Sequence, residues 1–316
     1  MEKRKLGNSD LEVAPLAFGG NVFGWTIDEA TSFRLLDQFV AAGFNLIDTA
    51  DIYSTWMPGH KGGESETIIG NWITQRKNRD QVVIATKVGL EMGPDKKGLS
   101  RPYIMDAVDD SLTRLRTDYI DLYQAHWDDA DTSLEETLST FGELMKQGKV
   151  RAIGASNYSG ARFAESLATS EQAGLPRYET LQPNYNLYDR NEYEQTLEPI
   201  CVENNISVLP YYSLASGFLT GKYRSEADLA KSPRGEGNRK YLNERGMRIL
   251  EALDEVAAES DSSPAQVSIA WLSSRPHISA PIASATNLEQ LSDLIGGATL
   301  KLDEAALAKL DQASAD

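Results

Sequence analysis

Four side chains in the first half of the chain are costly to bury and chemically complementary: Asp48, Tyr53, Lys87 and His126. Each stands at or just beyond the end of a short apolar run. The runs are Leu46-Ile47-Asp48-Thr49, with Tyr53 following; Ile84-Ala85-Thr86-Lys87; and Leu122-Tyr123-Gln124-Ala125-His126. An ammonium taken out of water needs a carboxylate beside it or it gives up its proton, so Asp48 is the natural partner of Lys87. A positive charge next to a phenol oxygen favours the phenolate and lowers a pKa that is ordinarily near 10. A tyrosine so placed can hand a proton to a developing alkoxide near neutral pH. One Asp–Lys pair or one strand-end histidine is usually scaffolding. Four such groups desolvated in the same place point to a working site.

That reading requires elements that carry distant residues to one rim. Eight runs of β type alternate with amphipathic stretches: Leu16–Phe18, Asn45–Thr49, Val82–Lys87, Ile120–His126, Arg151–Ser156, Thr180–Asn184, Ser207–Tyr212 and Ile278–Ser284. Between them, Phe33, Leu36, Phe39 and Val40 share one helical face, as do Leu134, Leu138, Phe141, Leu144 and Met145. Ser133 and Glu136 have capping-box spacing, and Gly148 is placed to stop the same helix. Eight β-α units predict an α/β fold of the closed (β/α)8 type, a TIM barrel, over residues 1–316 as one domain. Lys3–Leu6 and Leu11–Ala14 around a Gly7-Asn8-Ser9-Asp10 turn predict an N-terminal β-hairpin, and residues 303–314 an extra C-terminal helix. A doubly wound sheet would carry G-x-G-x-x-G after its first strand; Gly19-Gly20-Asn21-Val22-Phe23-Gly24 does not fit that pattern.

In such a barrel the chemistry gathers at the C-terminal strand ends. Further polar and aromatic residues stand there: Ser156 and Asn157, Gln182, and Tyr211-Tyr212-Ser213. The loops after strands one, two and four offer Trp25, Trp56, Met57 and Trp127, an aromatic and flexible wall suited to a hydrophobic or ring-containing small molecule. His60 and His277 match no ligand spacing, so no metal is expected, and a metal-dependent hydrolase barrel would need clustered ligands that the chain lacks.

Composition narrows the partners. The 316 residues carry a formal net charge of -16, which argues against nucleic acid or an anionic membrane as the main partner. The single cysteine, Cys201, forms no intramolecular disulfide and reads as part of a buried helix face. No apolar run approaches the roughly 20 residues that span a bilayer. The N-terminus is basic but lacks the apolar stretch of a signal peptide, so a reducing, cytoplasmic setting is expected.

Together the motifs resemble the aldo-keto reductases. Gly43-Phe44-Asn45-Leu46-Ile47-Asp48-Thr49-Ala50 with Tyr53, Gly63-Glu64-Ser65-Glu66 with Ile69-Gly70, Ala85-Thr86-Lys87, the strands ending in His126 and Asn157, Gln182, and the stretch from Tyr211 to Lys222 carry the resemblance from Leu6 to about Leu294. It implies an NAD(P)(H)-dependent oxidoreductase that interconverts an aldehyde or ketone and an alcohol by hydride transfer. Tyr53 would be the acid in reduction and the base in oxidation, tuned by Lys87, with Asp48 orienting Lys87 and His126 positioning the carbonyl. Ser156, Asn157 and Gln182 would bind the nicotinamide carboxamide and Tyr211 would stack on its ring.

On the same resemblance, Ser213, Leu214, Gly217, Leu219, Gly221 and Lys222 would wrap the pyrophosphate. Ser284, Thr286, Asn287 and Gln290 would face the adenosine end. That last loop holds no cation, which leaves NADP(H) and NAD(H) both open. Arg224, Lys231, Arg234, Arg239 and Lys240 form either a lid or a solvated loop, and Asp293 lies near the adenine or on a surface helix. Some relatives serve as potassium-channel β subunits, so a cofactor-binding interaction protein with weak reductase activity is the alternative. The acidic whole fits a free enzyme better.

Overall fold

The computed structural model describes residues 2–232 and 235–315; Arg234, named above among the loop cations, lies outside the described residues. A two-stranded antiparallel hairpin, β1 (Arg4–Lys5) and β2 (Glu12–Val13), comes first. Eight parallel strands follow: β3 (Ala17–Gly19), β4 (Leu46–Asp48), β5 (Val83–Val88), β6 (Ile120–Ala125), β7 (Val150–Ser156), β8 (Thr180–Gln182), β9 (Ser207–Val208) and β10 (Ile282–Ala283). They hydrogen-bond in chain order, and β10 returns to pair with β3. Between β9 and the segment leading to β10, Val208 N donates to His277 O at 2.8 Å and Ser279 N to Val208 O at 2.9 Å. The ring of strands therefore closes into the expected (β/α)8 barrel.

Five strands are shorter than their runs: β4 and β6 by one or two residues, and β8, β9 and β10 where prolines intervene. Pro183, Pro210 and Pro281 stand at those limits, and a proline has no N–H to give a ladder. Isolated bonds carry the pairing past them, such as Tyr211 N to Pro183 O at 2.9 Å. Tyr211 thus still arrives at the rim although β9 ends at Val208.

Helices α1 (Glu29–Ala41), α2 (Glu64–Arg76), α3 (Arg101–Leu115), α4 (Leu134–Lys146), α5 (Gly160–Ala173) and α6 (Glu198–Glu203) follow β3 to β8 in turn. The connection from β9 to β10 holds two helices, α7 (Glu244–Glu259) and α8 (Pro264–Ser273). α9 (Leu288–Thr299) and α10 (Glu304–Ser314) end the chain. α10 is the expected extra C-terminal helix. α7 is a further helix that the alternation of runs does not predict, since two helices stand in succession between β9 and β10. α10 packs on α7, and the arginines of α7 hold its end: Arg245 donates to Ser314 O and Arg248 to Ala313 O, at 2.7 and 2.9 Å.

Helix starts obey short-range rules. Asp28, Ser133, Ser159, Asn243, Ser263, Asn287 and Asp303 each accept a hydrogen bond from a first-turn N–H. The expected box at Ser133 forms only by half: Ser133 Oγ caps Glu136 N, but the Glu136 carboxylate accepts from Arg101 N at 2.9 Å instead. That N–H opens α3 and has no acceptor within its own helix. Gly148 adopts φ 74°, as its stopping role requires.

The core has two parts. Inside the barrel, Ala17, Leu46, Val83, Ala85, Leu122, Ala152, Leu209 and Ala280 pack against Leu6, Leu11 and Val13, so the hairpin plugs the floor. A larger layer lies between barrel and helices, with Cys201 fully buried in it as expected. Among the described residues no helix is long and apolar enough to cross a membrane.

The floor and the helix layer leave one end open for function, and close backbone packing holds that end in shape. α2 crosses α3 at Gly70, where an added Cβ would lie 2.2 Å from Arg114 O. Gly70→Ala is expected to destabilise the fold by about 1–3 kcal/mol, the usual cost of overpacking. Urea unfolding of the variant measures this; an unchanged midpoint would refute the contact.

Candidate active site

The site is built where β4 and β5 end side by side. Lys87, fully buried on β5, donates from Nζ to Asp48 Oδ2 at 2.8 Å, to Thr49 O at 2.7 Å and to Tyr53 OH at 3.0 Å. A tight turn after β4 delivers Tyr53: Tyr53 N bonds Ala50 O, and Ser54, at φ 79°, ties its hydroxyl to Phe23 O at 3.0 Å. The second oxygen of Asp48 accepts from Gln182 Nε2 at 2.9 Å and Gln124 Nε2 at 3.4 Å.

Burial alone would lower the Lys87 pKa. The Asp48 carboxylate and the Tyr53 oxygen more than reverse this, and the ammonium is held above its ordinary value. Tyr53 corrects the sequence expectation. Burial raises its pKa to about 12, and Asp48 adds to the rise, so the nearby Lys87 offsets desolvation only in part. The neighbouring ammonium favours the phenolate, but the loss of water opposes it and wins. The His126 ring stands 6.1 Å from the Tyr53 ring at 75°. Burial first, and Lys87 second, hold its pKa well below the usual imidazole value, so it is neutral. Its Nδ1 has no partner among the described residues.

A second group adjoins the first. Ser156 Oγ donates to Gln182 O at 2.9 Å. Asn157, in the left-handed region at φ 57°, donates from Nδ2 to Ser156 Oγ and to His126 O, both at 3.0 Å. Its Oδ1 accepts from Tyr211 OH at 2.7 Å. The structure therefore brings Asp48, Tyr53, Lys87, His126, Ser156, Asn157, Gln182 and Tyr211 onto one rim. A half-buried phenol ring beside three amide or hydroxyl groups fits a flat heteroaromatic amide in both shape and hydrogen-bonding chemistry.

The remaining expected residues divide. Ala215, Ser216 and Gly217 have φ of 46°, 56° and 92°, a run that folds the chain sharply. Gly217 is needed there, since φ 92° strains any residue with a side chain. Gly221 is also left-handed at φ 78°, Leu214 is half-buried, and Lys222 is exposed and close to Gly217. Two side chains do not face a ligand: Leu219 is fully buried, and Ser213 Oγ is spent on Ile282 O at 2.9 Å. Past β10, Ser284 Oγ donates to Asn21 Oδ1 at 2.7 Å. Asn287 caps α9, and Gln290 Oε1 accepts from Thr286 N and Oγ1 at 2.8 and 3.0 Å. Asp293 accepts from Gln266 at 3.3 Å and so belongs to helix packing.

Three of the loop cations are paired with carboxylates, two of them within the loop. Arg224 pairs with Asp254, Lys231 with Asp228, and Arg239 with Glu226 and Glu236, all at 2.7 to 2.8 Å. Among aromatics, Trp25 meets Trp56 edge-on at 5.4 Å, and Trp56 lies 6.2 Å from Tyr53. Trp127 is 53 % exposed and makes no ring contact with them among the described residues. Among the described residues, no three His, Cys, Asp or Glu side chains group as a metal site would need.

Sequence reasoning passed over Gln124, Tyr212 and Asp51. Tyr212, half-exposed at φ 53°, packs edge-on against Tyr211 at 5.1 Å. Asp51 is buried two residues before Tyr53; its Oδ2 has no partner among the described residues. A charged residue between Ala50 and Ile52 was the signal.

The fold is a (β/α)8 barrel whose rim carries a tyrosine against a buried lysine. Residues 15–315 match the model of the aldo/keto reductase family, and the chain belongs to that family. It is 34 % identical to "Aldo-keto reductase YhdN" of Bacillus subtilis, over 94 % of this chain and 89 % of that protein. It is 32 % identical to "Protein tas" of Escherichia coli, over 98 % and 97 %. It is also 32 % identical to a "Probable voltage-gated potassium channel subunit beta" of Arabidopsis thaliana, over 93 % and 90 %.

Asp51 yields a pH prediction. Burial, then the Glu66 carboxylate, pushes its pKa up to about 8. The folded chain then keeps a proton that the unfolded chain has lost above pH ~3.9. Stability from this group therefore falls as pH rises from about 4 to about 8, by at most ~1.4 kcal/mol per unit. Asp51→Asn should flatten that fall in denaturation measured across the window, whereas parallel curves for the two proteins would contradict it.

Proposed function

We propose that this barrel, as one domain, interconverts a carbonyl and an alcohol with NAD(P)(H), using Tyr53 as its proton donor and acceptor. The observation that carries the reading is the 3.0 Å contact between Tyr53 OH and an ammonium locked in a fully buried pair with Asp48. Because Lys87 donates to the phenol oxygen, the phenol hydrogen stays available to a substrate oxygen. With a pKa near 12 the phenol is protonated at ordinary pH, which suits it to protonate an oxygen gaining charge in reduction. In the reverse direction Lys87 stabilises the phenolate that takes the proton. Neutral His126 offers one N–H to the same oxygen and adds no competing positive charge.

Ser156, Asn157 and Gln182 would hold the carboxamide of the nicotinamide, and Tyr211 its ring. The bound nicotinamide supplies or accepts the hydride. The 213–222 segment would follow the pyrophosphate: Ser213 and Leu219 through their backbone, Leu214, Gly217 and Gly221 by close approach, and Lys222 by charge. Ser284, Thr286, Asn287 and Gln290 would meet the adenosine end with hydroxyl and amide groups, which accept either nucleotide. Trp25 and Trp56, with Trp127 farther out, would wall the substrate, giving a preference for ring-containing carbonyls.

Tyr53→Phe should cut turnover by about 10²–10⁴-fold, the usual worth of a positioned general acid. Nucleotide affinity, followed by fluorescence, should change by no more than about threefold, since the hydroxyl makes no proposed contact with the nucleotide. A variant with near-full turnover would reject the assignment. Trp56→Ala should raise KM for a benzaldehyde-type substrate at least about tenfold, through lost ring contact, while a short aliphatic aldehyde is little affected. Equal effects on both would remove Trp56 from the substrate wall.

A further inference from the structure

Gln182 is a glutamine whose two ends differ: one can only donate and the other only accept. Which end faces a ligand decides what the ligand must offer. The buried network answers this. Asp48, ionised against Lys87, can only accept, so the Gln182 atom 2.9 Å from Asp48 Oδ1 is the NH2. The same reasoning makes the Gln124 atom at 3.4 Å from that oxygen its NH2. The other end of the Gln124 amide, Oε1, stands 3.3 Å from Gln182 Nε2 and accepts its second hydrogen. Gln124 fits there because residue 154 is glycine, where a Cβ would lie 3.1 Å from Gln124 Cγ. Both hydrogens of the Gln182 amide are thus held inside the barrel. Among the described residues nothing donates to Gln182 Oε1.

We propose that Asp48 is a positioning residue for Gln182 as well as the counterion of Lys87, fixing the amide with its carbonyl oxygen toward the ligand, and that Gln124 completes the lock. This rests on the proposed cofactor reading. The ligand group facing Gln182 must then be a donor, as the NH2 of a carboxamide is. The pair Lys87 and Asp48 thereby governs both the acid–base group and the amide that orients the nicotinamide.

The inference turns on one substitution. In Asp48→Asn, Lys87 has only hydrogens to give, so the new amide must offer Lys87 its oxygen. Its NH2 then points at Gln182, which must turn its own oxygen inward and its NH2 outward. The test compares dissociation constants for the oxidised dinucleotide and its 3-acetylpyridine analogue, in which a methyl ketone replaces the carboxamide and no NH2 remains. Both are measured by calorimetry, with or without the 2′-phosphate according to which form the wild type binds.

The wild type should prefer the carboxamide by about 3–10-fold, the worth of one hydrogen bond. Asp48→Asn should abolish or reverse that preference; a merely structural role would weaken both ligands alike and keep it. Gln182→Glu is the second variant. Beside Asp48 its carboxyl keeps a proton, donates it to Asp48 and still presents an acceptor, so the preference should survive. The proposal is overturned by a wild type without preference, by Asp48→Asn keeping the wild-type ratio, or by Gln182→Glu losing it. In those cases the proposed reaction stands. A wild type that binds neither dinucleotide overturns both.

Discussion

The rest of the rim depends on how the Lys87 ammonium is satisfied. Two charges out of water cost several kcal/mol each unless their hydrogen bonds are complete. Lys87 has three hydrogens, and the structure finds three acceptors: Asp48 Oδ2, Thr49 O and Tyr53 OH. The first two belong to the end of β4. Only the third requires the following turn, so the position of Tyr53 is part of the bookkeeping of a buried cation. Asp48 closes the other side by accepting from Gln182 and Gln124. The polar centre is therefore a closed network whose members cannot shift singly.

This constraint also explains the direction of the acid–base behaviour. A lysine beside a phenol invites the conclusion that the phenol is acidified. Tyr53 shows the opposite net result, because desolvation of the phenolate is the largest effect, Lys87 offsets it only in part, and Asp48 adds to the rise. The lysine limits the cost of making a phenolate, although it does not make one at rest. His126 answers to the same two influences with the reverse consequence, since burial and a neighbouring cation both favour its neutral form. One dry, positively centred rim thus yields a protonated phenol and an uncharged imidazole together, both able to donate to an oxygen.

Much of this was legible in the sequence, because barrel strands bury both faces and any polar residue at their ends stands out. Asp48, Lys87, Ser156 and Gln182 were visible on that ground, and the structure gathers them. Tyr53 and Asn157 stand out by their place just past the strand ends, but the turns with left-handed residues that aim them are visible only in the structure. Gln124 was hidden because a glutamine two residues before His126 reads as one more polar strand residue until its partners are seen. α7 was hidden because two amphipathic helices in succession carry the same periodicity as one unit with a long connection. The sign of the Tyr53 shift was misread for a different reason: solvent loss is set by three-dimensional burial, which no spacing encodes.

The charge balance bears on how a dinucleotide would be held. A chain of net charge -16 repels an anion at long range, so attraction must come from groups within a few ångströms. In the 222–240 connection Lys231 and Arg239 are neutralised by its own carboxylates and Arg224 by Asp254 of α7, whereas Lys222, folded back against Gly217 and 5.0 Å above the Tyr223 ring, has no carboxylate partner among the described residues. Past β10 the groups are hydroxyls and amides already engaged in capping α9. Recognition at that end would rest on directional hydrogen bonds more than on charge. Such bonds exchange one set of partners for another at small net gain. Under the proposed function, affinity would therefore concentrate at the nicotinamide end, where Tyr211, Asn157, Ser156 and Gln182 are joined by hydrogen bonds.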